Sequence, residues 1–177
     1  MTTSQTSTFA SHWGEERSKV VTWHDPGPST RAGLSLSGLD YLTAMLEGEL
    51  PPPPIAGLME MTMTSVTEGH VEFTCLPDES AYNPIGAVHG GLVCTLLDTV
   101  AGCALHSALP AGRGYTSIEI KVSYLKAVRA SSGLLTAVGT VVKTGSRVGF
   151  TEGVVRDSTG AVVATASSTL LVFDLPA

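Results

Sequence analysis

NPIGAVHGGLVCTLLDTVAGCAL, residues 83–105, is the stretch that decides the fold. Its first half is punctuated by Pro84, Gly86, Gly90 and Gly91 and reads as a loop. Past Gly91 the period changes. Leu92, Val93, Leu96, Leu97, Val100, Ala101, Ala104, Leu105 and Ala108 recur at helical spacing. At ~100° per residue they cover a stripe about 220° wide, so this helix is central and buried. Gly91, Thr95, Asp98 and Gly102 occupy the remaining edge. Small residues there let another backbone approach closely, which sets Asp98 in a crevice rather than in open water.

The segments around this helix alternate with period two. Downstream, Ile118, Ile120, Val122 and Tyr124 alternate with Glu119, Lys121 and Ser123. Three more strands are predicted near 134–143, 148–157 and 161–173, separated by Ser131-Ser132-Gly133, Gly145-Ser146 and Asp157-Ser158-Thr159-Gly160. Upstream, strands are predicted over about 57–66 and 70–76, joined at Glu68-Gly69. Short links make neighbouring strands antiparallel. The expected class is α+β, an antiparallel sheet wrapped around one long helix.

A short helix is expected after Ser37, its cap, with Asp40 at the positive end of the dipole and Leu39, Leu42, Met45 and Leu46 on one face. Pro51 to Pro54 read as a stiff extended linker. Residues 1–36 read as a flexible arm, disordered over the first eleven, with WHDPGPSTRAG (23–33) as loop. Trp13 and Trp23 are candidates to pin that arm onto the domain, residues 37–177.

Composition narrows the function classes. The chain has 177 residues, 10 basic against 16 acidic, and a net charge of −6, which disfavours nonspecific nucleic-acid binding. Asp98 inside the longest apolar run argues against a membrane span. The start, MTTSQTSTFASHWGEE, lacks the n- and h-regions of a secretory signal, so a cytoplasmic location is expected. Cys75, Cys94 and Cys103 form no CxxC pair, so neither a disulfide scaffold nor a structural zinc site is expected. The basic residues cluster. Arg113, Lys121, Lys126, Arg129, Lys143, Arg147 and Arg156 are opposed within that span only by Glu119 and Glu152. Two readings stand: solvated strand faces, or local recognition of an anionic ligand.

The glycines at the head of the helix leave its first N–H groups open, a site for developing negative charge. Asp98, two turns on, must be hydrogen-bonded, paired or shifted in pKa. Asn83 can orient a water or a carbonyl, and His89 can brace the loop or help polarise. The structural alternatives are packing punctuation for the glycines, one backbone hydrogen bond for His89, and a neighbouring Arg for Asp98.

The run above, together with SIEIKVSYLKAV (117–128) and VVKTGSRVGFTEGVVRDSTGAVVATASSTLLVF (141–173), resembles the hotdog-fold acyl-CoA thioesterases of the phenylacetate-degradation (PaaI-like) type. The likeness covers roughly residues 55–173. Its motif is Asn83, His89-Gly90-Gly91 six residues on, and Asp98 nine after the histidine. The resemblance implies a hotdog fold and hydrolysis of an acyl- or aryl-acyl-CoA to acid and CoA, with no cofactor or metal. Asp98 would be general base or nucleophile, and the Gly90 N–H would polarise the thioester carbonyl. Asn83 would position water or carbonyl, His89 would support the loop, and Ser117 would help hold water, with Thr116 the adjacent candidate. It further implies a homodimer or homotetramer with Asp98 facing the Asn83–Gly90 loop of the partner. Substrate contacts would include Gly91. Lys143, Gly145, Ser146 and Arg147 are the candidate turn for CoA phosphates, and Lys126 with Arg129 a second pair. The alternatives are a noncatalytic acyl-CoA-binding module and a hotdog hydratase or dehydratase.

Overall fold

A computed structural model describes residues 13–175. Three helices come first: α1 (Pro26–Gly33), α2 (Gly38–Leu46) and α3 (Pro54–Leu58). Strands β1 (Met61–Thr67) and β2 (His70–Cys75) precede the long helix α4 (Gly90–Ser107). Four strands follow: β3 (Arg113–Tyr124), β4 (Leu135–Thr144), β5 (Val148–Arg156) and β6 (Val162–Asp174). They form one antiparallel sheet in the order β1-β2-β4-β5-β6-β3.

The sheet wraps α4 as the periodicity predicts. Leu96, Leu97, Val100, Ala101, Ala104 and Leu105 are wholly buried. The apolar length of α4 is therefore taken up by the sheet. Small residues cut a groove for the helix across the strands. Gly139 on β4 pairs with Gly153 on β5, which pairs with Ala166 on β6. A Cβ at Gly139 would lie 2.1 Å from the carbonyl oxygen of Val100, so only glycine lets the helix backbone sit there.

Several expectations are corrected. WHDPGPSTRAG is not all loop, because residues 26–33 form α1. Pro26 stands in the first helical turn, where the missing N–H costs nothing, and the Asp25 carboxylate caps the Gly27 N–H at 2.9 Å. Pro54 likewise opens α3, so β1 begins at Met61 rather than at 57. Trp13 and Trp23 are 83% and 64% exposed and do not pin the arm. The arm is held instead by Lys19, which pairs with Glu60 and Asp78, by Arg17 on Glu79, and by buried Ser29 on the Pro51 carbonyl. The first twelve residues lie outside the described residues. Ile118 does not face the core. A bulge between Ser117 and Glu119 resets the alternation, leaving Ile118 58% exposed while Ile120 and Val122 pack inward. What closes on Gly102 is a ring rather than a backbone: a Cβ there would meet Tyr115 at 2.7 Å.

Candidate active site

The head of α4 is built by the loop before it. The Asn83 side-chain oxygen accepts from the N–H groups of Ile85 (3.1 Å) and Ala87 (3.2 Å). The carboxamide therefore folds its own loop and keeps its NH₂ as a free donor. Loop backbone is fixed further by His89 N–H to the Ala81 carbonyl (2.7 Å) and Val88 N–H to the Val128 carbonyl (2.8 Å). The Arg129 guanidinium donates to the Gly86 carbonyl.

His89 is the N-cap of α4. Its Nδ1 accepts from the Gly91 N–H at 2.8 Å, which fixes the neutral tautomer with the proton on Nε2. Gly90 is the first residue of the helix, so its N–H has no intrahelical acceptor. Its carbonyl accepts from the Tyr124 hydroxyl at 2.9 Å. Sequence reading missed Tyr124; a tyrosine closing the strand that follows the helix is the signal that was there.

Asp98 stands two turns along, half-buried, and its Oδ1 accepts from the Ser117 hydroxyl at 2.8 Å. Ser117 and Tyr115 share one face of β3. The first meets Asp98 and the second covers Gly102, one turn on. Thr116 points to the other face and is exposed. No Arg or Lys pairs with Asp98 among the described residues. The thiols beside it are poor nucleophiles: burial first, then the Asp98 carboxylate, pushes Cys103 up to about 12 and raises Cys94. No group of three or more His, Cys, Asp or Glu with metal-binding geometry occurs among the described residues.

Asn83, His89, Gly90 and Gly91 thus cluster at one end of α4, with Asp98 and Ser117 at its middle. Within one protomer they do not converge. Eight residues separate Gly90 from Asp98, ~12 Å along the axis. The phosphate candidates are elsewhere. Lys143 lies near the end of β4 and Gly145, Ser146 and Arg147 form the β4–β5 turn, beside Arg113, which donates to the Ser146 carbonyl at 2.7 Å. That turn lies past the C-terminal end of α4, where Gly149 packs on Leu105. Lys126 is engaged with Asp157 at 2.6 Å.

Residues 85–164 match the Thioesterase superfamily profile. Human acyl-coenzyme A thioesterase 13 is 27% identical over 108 residues, 60% of this chain and 76% of that protein. A "Putative esterase" of Halobacterium salinarum is 45% identical over 69 residues, which span 38% of this chain and only 44% of that relative. A phenylacetic acid degradation-related protein of Ralstonia eutropha superposes with a TM-score of 0.68 at 28% identity, covering 74% of this chain and 98% of its own. A Streptococcus mutans protein solved with acetyl CoA superposes at 0.60 and 26% identity, covering 66% and 91%. In fold the chain is a hotdog protein, and residues 85–164 are similar to the thioesterase superfamily.

Proposed function

We propose that the chain is an acyl-CoA thioesterase that works as a homodimer. The single observation that carries this is the Ser117–Asp98 pair on the one open face of α4, ~12 Å from the nearest free helix-head N–H. A carboxylate and an oxyanion donor must both lie within ~3 Å of one reacting group, so the donor comes from a second protomer. Strand β3 supports that arrangement. It is twelve residues long, it ends the sheet, and it pairs only with β6. Long bare edges are normally covered, and a second copy added along β3 covers this one. The CoA-bound state of a structural relative supports a CoA thioester as the substrate class.

In this reading Ser117 fixes one carboxylate oxygen of Asp98, and the other takes a proton from water. The hydroxide so formed bonds to the thioester carbon. The partner's helix-head N–H receives the developing oxyanion. The carbon–sulfur bond then breaks, and Asp98 returns its proton to the departing CoA thiolate. The Asn83 NH₂ and the His89 Nε2–H are the remaining donors at the carbonyl. If Asp98 were instead the nucleophile, a single turnover in oxygen-labelled water would leave label in its carboxyl group. Three free thiols fit a reducing cytoplasm.

Thiol release from an acyl-CoA panel tests the proposal. Asp98→Ala should abolish release while the dimer still forms. Mixing Asp98→Ala protomers with Gly90→Pro protomers should restore activity, because one site of each mixed dimer is then intact. Full activity in Asp98→Ala refutes the mechanism. Tight acyl-CoA binding without thiol release in the wild type would make the protein a binding module.

A further inference from the structure

A cavity of about 510 Å³ lies between α2, α3, β1 and the C-terminal half of α4. We propose that it receives the acyl group of the thioester, and that Met45 and Met63 set the longest chain accepted. This rests on the thioesterase reading above. Thr99, Cys103 and His106 line the cavity from α4, spaced four and three residues apart, and Tyr115 lines it from β3. Thr99 follows Asp98 directly, and Tyr115 shares its strand face with Ser117, the residue bonded to Asp98. The cavity therefore begins at Thr99, one residue past the carboxylate, and runs ~10 Å along α4 to His106.

A thioester carbon held at Asp98 carries two arms. The CoA arm is charged and belongs toward solvent; the acyl arm is apolar and needs an apolar hole. The other large cavity along the open face of α4, about 550 Å³, is rimmed by Lys19, Glu60 and Asp78, charges that an apolar chain would desolvate. The 510 Å³ cavity holds no Asp, Glu, Lys or Arg. Burial lowers the pKa of its imidazole, His106, which favours the uncharged ring.

The walls differ in stiffness. At the far end the His106 ring packs at a tilt between Tyr41 (5.6 Å) and Tyr115 (5.4 Å). Helix α2 is seated by Gly38, whose N–H donates to the Leu109 carbonyl at 3.0 Å. A Cβ on Gly38 would fall 1.7 Å from the His106 carbonyl oxygen, so α2 is in backbone contact with α4 and cannot settle deeper. Of the three methionines on the wall, Met61 is buried in the core, so the adjustable part is the two half-buried thioethers, Met45 on α2 and Met63 on β1.

The test fills the cavity from two sides, with Met45→Trp and Met63→Trp, neither of which touches the reacting groups. Thiol release is measured on acetyl-, hexanoyl-, dodecanoyl- and palmitoyl-CoA. At least one folded variant should lose about tenfold or more in kcat/KM on dodecanoyl-CoA relative to its own kcat/KM on acetyl-CoA, the equivalent of roughly two methylenes expelled. Parallel loss on all substrates, or no change in either variant, overturns the assignment. If the wild type releases no thiol, the thioesterase reading fails, and calorimetry with the non-hydrolysable dodecyl thioether of CoA decides the cavity by itself. Weaker binding of that thioether in the variants, with unchanged binding of free CoA, keeps the assignment; equal binding overturns it.

Discussion

Replacing Gly90 by proline removes one hydrogen-bond donor and little else. Gly90 is the first residue of α4, a position where proline is favoured because its N–H is unused by the helix. His89 before it has φ −61° and ψ 133°, extended backbone of the kind that precedes proline without a clash. One side effect is visible. A Cβ at this position lies 3.1 Å from Cζ of Tyr124, tighter than ordinary contact. Gly90→Ala introduces the same crowding and keeps the N–H, so it is the reference rather than the wild type. Loss of one oxyanion donor typically lowers kcat about 10²–10³-fold, or ~3–4 kcal/mol of transition-state stabilisation. Gly90→Pro should therefore fall about 10²-fold or more below Gly90→Ala in kcat and in kcat/KM alike, the sign of a contact made only in the transition state. The assay is continuous detection of CoA thiol, with thermal melts showing that the two variants unfold together. Turnover of Gly90→Pro within about threefold of Gly90→Ala would remove the Gly90 N–H from the mechanism.

Gly139→Ala sets two backbone effects against each other. Alanine stiffens a strand by ~0.5–1 kcal/mol, but its Cβ would lie 2.1 Å from the Val100 carbonyl, and overpacking costs ~1–3 kcal/mol or more. The clash wins: a net cost of roughly 1–2 kcal/mol in a chain of this size should lower Tm by about 2–8 °C. Activity should fall with it, since Asp98 is two residues from Val100. Gly153→Ala meets only the tip of Leu97 at 3.0 Å and should be milder, and equal melts for wild type and Gly139→Ala would refute the groove. Ser117→Ala deletes the 2.8 Å bond to Asp98 and should lower kcat about tenfold with an unchanged melt; unchanged kcat would make that bond incidental. The Asp157 carboxyl is held well below the usual range, first by Lys126 and then by the Thr159 hydroxyl. Its contribution is present above the unfolded carboxyl pKa of about 4 and is lost as pH falls below it, so the drop in Tm between about pH 6 and pH 3 should shrink in Asp157→Asn. An identical drop would show that other carboxylates dominate acid unfolding.

Much of this fold was legible in residue order because two periods carry it. The 3.6-residue stripe from Leu92 to Leu105 marked α4, and the alternating runs marked five of the six strands within a few residues. The failures have a common cause in backbone geometry, which composition does not display. Pro26 and Pro54 read as breakers, yet each stands where a helix tolerates proline. The bulge after Ser117 turns Ile118 outward, and no alternation pattern announces a bulge. Ser117 itself was legible only through family resemblance; in bare sequence it is one serine opening a strand. Tyr124 reached Gly90 because a strand and a helix head 34 residues apart are neighbours in space.

The position of the candidate carboxylate follows from how the helix is buried. A helix enclosed on about 220° of its circumference leaves one strip open, and any polar side chain it carries must lie there or be paired. On α4 that strip holds Gly91, Thr95, Asp98 and Gly102, and strand β3 closes its C-terminal part with Tyr115 over Gly102 and Ser117 beside Asp98. Thr95 turns its hydroxyl back onto the Gly91 carbonyl at 2.9 Å and so satisfies itself. Asp98 alone on this strip keeps acceptor capacity unused, one oxygen bonded and one open. The burial that stabilises the protomer thus also isolates a single reactive group on its surface. That group lies beside edge strand β3, ~12 Å along α4 from the free Gly90 N–H at the helix head. On the dimeric reading proposed above, a second copy laid along β3 would bring its Gly90 N–H toward this carboxylate and cover the sheet edge.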